Sequence, residues 1–138
     1  MMLTLSAKGD YGLMLLQYLA KLAPGHYMSL SQVVRQTKMP IKYVEKLAAE
    51  LNEAGIIQSR EGQSGGYCLS NKPQKIKLVK VLEALEGKLQ PSNCALGCGA
   101  CGRQQACERK TGWRRVHKDL YKSLADYTLA DILSFHKK

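Results

Sequence analysis

Cys94, Cys98, Cys101 and Cys107 fall within fourteen consecutive positions of this 138-residue chain. Thiols crowded in this way bind metal or do redox chemistry, because the reducing cytosol disfavours structural disulfides. Six residues separate Cys94 from Cys101 and five separate Cys101 from Cys107, with Cys98 as an extra thiol between the first two. Structural zinc sites more often set paired CxxC elements at a distance, whereas this stretch has one CxxC, at Cys98 and Cys101, and wide outer spacings. The pattern favours an iron–sulfur cluster, 2Fe–2S or 4Fe–4S, and leaves zinc and purely thiol-based redox sensing open as alternatives. Cys68 stands apart from the group.

No second chemistry competes with the thiols. His26, His117 and His136 are scattered, and no nucleophile, base and orienting residue can be argued together, so a non-enzyme is expected. The formal charge is +10, from 21 Lys and Arg against 11 Asp and Glu, which favours a polyanionic partner. No apolar run approaches the roughly 18 residues of a membrane span. The opening MMLTLSAKGDYG shows no basic segment followed by an apolar core, so a cytoplasmic protein without a membrane partner is expected.

The cysteines need elements to position them, and apolar spacing supplies these. Tyr11, Leu15, Tyr18, Leu19 and Leu22 recur three or four apart and mark an amphipathic helix from Ser6 to about Leu22, ended by Pro24 and Gly25. Ser29 is an N-cap for a short second helix with Leu30, Val33 and Val34, which fades at Thr37 and Lys38. Pro40 suits the first position of a third helix, with Val44, Leu47, Ala48 and Leu51 on one face and a stop at Gly55. Behind it IIQSR, the glycine-rich EGQSGG and YCLS spell a hairpin. Ile76, Val79, Leu82 and Leu85 return to helical spacing, and Gly87 closes that element. From Thr111 onward Trp113, Val116, Leu120, Leu124 and Tyr127 form the stripe of a long amphipathic helix, and Thr128 caps a short terminal one. The expected architecture is mainly α with a small β-hairpin wing. A winged helix-turn-helix domain occupies residues 1–88, a cysteine-rich cluster-binding loop 89–110, and a dimerisation helix with a C-terminal helix 111–138. The long stripe has no domain of its own to cover, which points to a two-fold homodimer.

A helix-turn-helix lays its second helix in the major groove of double-stranded DNA, where each base pair shows a distinct donor and acceptor pattern. Here that helix begins PIKYVEKL. Lys42 and Lys46 offer phosphate contacts, while Tyr43 and Glu45 offer base readout, glutamate by accepting from cytosine N4. Arg60, beside the hairpin tip, is placed to enter a narrow minor groove.

The helix KGDYGLMLLQYLA, the reading helix with KYVEKL, the wing text GGYCL, the stretch IKLVKVLEALEG, the cysteine loop and the tryptophan helix together resemble the Rrf-two family of bacterial winged-helix transcription regulators. The resemblance spans nearly the whole chain. It implies a homodimer that binds palindromic promoter sites, as a repressor or activator, and holds an iron–sulfur cluster sensing cluster, redox or nitric oxide status. Cys94, Cys101 and Cys107 are then the ligands. The family's loop usually has five residues between successive ligands, while this one has six in the first interval and carries Cys98 besides. IscR-like members place a histidine three residues after the last cysteine, where this chain has Lys110. NsrR-like members use an aspartate just before Tyr-Gly in the first helix, which is Asp10 here, so Asp10 and Cys98 compete as fourth ligand. Asp10 also fits the plain role of stabilising the helix start or pairing with Lys8. The family's wing arginine, just before a glycine, is replaced by Glu61, with Arg60 one place earlier. Two rivals stay open: a winged-helix regulator with a zinc or thiol–disulfide site, and an iron–sulfur electron-transfer or assembly accessory protein, which would need neither reading helix nor wing.

Overall fold

The computed structural model describes residues 6–87 and 109–134. Six helices and one hairpin follow in the order α1 (Ala7–Ala20), α2 (Leu30–Thr37), α3 (Ile41–Glu53), β1 (Ile57–Arg60), β2 (Gly66–Leu69), α4 (Leu78–Glu86), α5 (Arg109–Ala125) and α6 (Leu129–Ser134), with a single 3-10 turn at Pro73–Lys75.

Local chemistry sets most of the boundaries. Ser6 caps α1 by accepting from the Gly9 amide, and its own amide and hydroxyl donate to Glu86 Oε1 at 3.0 and 2.6 Å, which ties the start of α1 to the end of α4. Ser29 and Gln32 form a reciprocal capping box on α2, and Lys38 closes it in the left-handed region at φ 60°. Pro40 lies one residue outside α3, not at its first helical position: it is the cap, and its carbonyl accepts from the Tyr43 and Val44 amides.

Leu15, Leu16 and Leu19 of α1, Val33 of α2, and Val44, Leu47, Ala48 and Leu51 of α3 fill one core, roofed by α4 through Val81 and Leu85. α1 approaches α4 closely because Gly12 has no side chain: a Cβ there would lie 2.5 Å from Leu85 Cδ1. The hairpin pairs antiparallel in the register Ile57 to Leu69 and Arg60 to Gly66. It does not stand alone. Met28 and Tyr67 exchange backbone hydrogen bonds at 2.9 and 2.8 Å, which makes a short third rung of the sheet. Gly66 at φ 144° passes so close to the Met28 carbonyl that no other residue fits.

Two expectations need correction. The helical spacing of Ile76, Val79, Leu82 and Leu85 starts too early, because α4 begins at Leu78 and its buried face is Leu78, Val79, Val81 and Leu85, with Leu82 half-buried. Ile76 is buried from an extended segment, where its carbonyl accepts from the Leu129 amide at 2.8 Å, and Leu78 N–H donates to the Tyr127 carbonyl at 3.0 Å. Those bonds stop α5 before Tyr127, which lies past the helix end and is 47% exposed.

Leu129 is fully buried in the core formed by α1–α4. Its truncation in Leu129→Ala removes a packed side chain and leaves a cavity, with an expected loss of about 2–5 kcal/mol. A denaturant titration measures it, and a loss below about 1 kcal/mol would mean that α6 contributes little to this core.

Candidate nucleic-acid interface

The polar side of α3 is open to solvent. Lys42, Glu45 and Lys46 are exposed, opposite the buried Val44, Leu47 and Leu51. Tyr43 differs from them: it is half-buried against the core, and its ring meets Tyr11 edge-on with centroids 5.5 Å apart and planes at 86°. Sequence reasoning passed over Ile41, which is 46% exposed at the first turn of α3. A bulky apolar side chain at that end of a groove-binding helix suits contact with a thymine methyl. Its spacing, three before Val44 and seven before Ala48, is that of the buried face, so the sequence carried no signal for its exposure at the helix start.

Arg60 ends β1, where its guanidinium stacks 4.2 Å over the Tyr27 ring and Nη2 donates to the Ser64 carbonyl at 3.1 Å. Both contacts hold this charge on the hairpin beside the exposed residues 61–64.

Asp10 sits in the first turn of α1, exposed, with no hydrogen bond or ion pair from its carboxylate among the described residues. It does not pair with Lys8. Lys8 Nζ instead reaches Glu50 on α3, 2.9 Å from Oε1 and 2.7 Å from Oε2. Asp10 borders a groove of about 470 Å³ lined by Tyr11, Leu13, Met14, Ile132 and Leu133. Cys94, Cys98, Cys101 and Cys107 lie outside the described residues, and among those described no three His, Cys, Asp or Glu side chains gather to hold a metal. Cys68 is half-buried on β2, where its Sγ accepts from Gln58 Nε2 across the hairpin at 3.4 Å.

Trp113, Leu120 and Leu124 of α5 are half-buried and Val116 is 48% exposed; none of residues 111–125 is buried. No helix among the described residues is long and apolar enough to cross a membrane.

A short α2, a turn through the left-handed Lys38, an α3 with a charged open face and a hairpin directly behind it define a winged-helix DNA-binding protein. Residues 5–134 match the Rrf2 family, described as "Iron-dependent Transcriptional regulator", and the chain belongs to that family. Protein rrf2 of Nitratidesulfovibrio vulgaris is 32% identical over 129 residues, covering 94% of this chain and 86% of the relative. The regulator IscR of Cereibacter sphaeroides is 26% identical over 133 residues, covering 94% and 86%. Among solved structures, CymR, the global cysteine regulator of B. subtilis, superimposes with a TM-score of 0.72 at 29% identity, covering 99% of this chain and 100% of its own. IscR of T. potens gives 0.69 at 30%, covering 98% and 89%. The chain is accordingly a helix-turn-helix transcription regulator and not an enzyme.

Proposed function

We propose that this regulator is a homodimeric repressor whose grip on a palindromic operator is set by an iron–sulfur cluster held at Cys94, Cys101 and Cys107. The observation that carries the reading is the Asp10 carboxylate, exposed on the first turn of α1 without a partner among the described residues. An unpaired carboxylate is a hard, exchangeable ligand that complements three thiolates, and Asp10 of a second copy serves as the fourth, with Cys98 as the competitor. When bound, the cluster supplies a centre that reacts with oxidants or nitric oxide. Lys42 and Lys46 take phosphates, Glu45 and the exposed Ile41 read base edges, and Tyr43 contributes what its packing leaves open. Arg60 reaches the minor groove from the wing.

The likeness to CymR, described as a cysteine regulator, favours a second reading in which the same thiols work without iron. Anaerobic purification followed by iron and sulfide assays separates the two: stoichiometric iron and sulfide support the cluster, and their absence supports thiol sensing. On DNA recovered by in vitro selection, Glu45→Ala should change the preferred sequence, costing about 1–3 kcal/mol on the selected site. Lys42→Ala should weaken all duplexes alike and lower the salt slope by about 1. Equal losses on selected and random DNA for Glu45→Ala would remove it from base readout.

A further inference from the structure

The first two turns of α1 grip the reading helix twice. Lys8 binds Glu50 in the third turn of α3, with both side chains about two-thirds buried at 32% and 27% exposure, and Tyr11 packs edge-on against Tyr43 in the first turn. The same two turns of α1 are fixed to α4 by the Ser6–Glu86 bonds and by the close seat of Gly12 on Leu85. Asp10 lies between the two gripping residues in sequence and on another side of the helix, within the same stretch that contacts α3 near both its ends.

We infer that Lys8 and Tyr11 are positioning residues of the reading helix, and that they carry displacements of the Asp10 turn to Tyr43 and Glu50. The first part stands on the two contacts alone; the second rests on the sensing role proposed above for Asp10. An ion pair and a ring contact of this kind set the angle of α3 against the body without touching DNA, and side-chain pairs in contact couple by about 0.5–3 kcal/mol.

The test uses the full-length protein and a duplex selected with the wild type. In the metal-free protein, Tyr11→Leu and Lys8→Met should each weaken the selected duplex by about tenfold, a coupling of about 1.4 kcal/mol, with the salt slope unchanged. Hydrogen exchange at the amides of residues 42–46 should quicken in Tyr11→Leu while the α4 amides stay as in the wild type. Tyr11→Phe, which keeps the ring, should bind as the wild type does, and the charge swap Lys8→Glu with Glu50→Lys should recover most of the loss. Unchanged affinity and exchange in both single variants would overturn the positioning role, and a salt slope lowered by about 1 in Lys8→Met would make Lys8 a phosphate contact instead. The relay is read from the ratio of affinities with and without iron: it should shrink in the Lys8→Met, Tyr11→Leu double variant at unchanged iron content, and an unchanged ratio overturns the relay. A wild type whose affinity ignores iron removes the sensing reading and the relay with it, while the metal-free comparison still decides the positioning role.

Discussion

Leu120→Asp is expected to yield monomers and to weaken binding to a palindromic duplex by about 10²–10⁴-fold, the gain that joining two half-site binders confers. The helix α5 spans 17 residues, yet none of its residues 111–125 is buried against the body of its own chain. Trp113, Val116, Leu120 and Leu124 therefore still carry apolar area that a second copy would cover, at about 25 cal/mol per Å² removed from water. If the stripe is the proposed interface, a carboxylate in its middle would place charge against apolar area of the second copy. Sedimentation reads the mass and a half-site duplex reads the head: half-site affinity should hold while palindrome affinity falls. A dimer that persists in this variant would place the interface elsewhere.

Serine at any one of Cys94, Cys101 or Cys107 is expected to bring the iron and sulfide of anaerobically purified protein to background. The hydroxyl is a poor substitute for the thiolate that iron–sulfur ligation requires. The same variants should lose any iron-dependent change in DNA affinity while keeping the metal-free affinity, since the reading helix and wing lie elsewhere in the chain. Cys68→Ser is the control: its thiol meets Gln58 on the hairpin, so iron content should not change. For the fourth ligand, Asp10→Ala should alter the visible absorption and speed the loss of iron in air, and Cys98→Ala should not. The reverse pattern would make the set all-thiolate. Iron retained by two or more of the three serine variants would remove this ligand assignment.

Elements governed by local rules were legible in the sequence. Ser29 as N-cap announces α2, the glycine-rich EGQSGG announces the hairpin, and the Val44–Leu47–Leu51 spacing gives the buried face of α3. Spacing misled where tertiary pairing takes over. Ile76 keeps helical register with Val79 yet is extended, because its carbonyl pairs with the Leu129 amide fifty-three residues away, and Tyr127 keeps register with Leu124 yet leaves α5 because Leu78 binds its carbonyl. At the candidate site, Lys42, Glu45 and Lys46 were legible as the open side of a helix with a known buried face. Tyr43 was not, since its half-burial depends on Tyr11, and Lys8 meets Glu50 forty-two residues on, beyond the reach of any local pattern.

The backbone bonds between Ile76–Leu78 and Tyr127–Leu129, with Leu129 seated among the side chains of α1–α4, bear on how the molecule can be taken apart. A piece ending at Gly87 would lack one of its own core side chains and leave the Ile76 carbonyl and the Leu78 amide without their partners. Cleavage of the peptide chain between Gly87 and Arg109 in the folded protein would instead leave both halves of that seam intact. The two pieces should then co-elute under native conditions and separate only in denaturant, which native mass measurement on protein cut at a protease site engineered into that stretch would show.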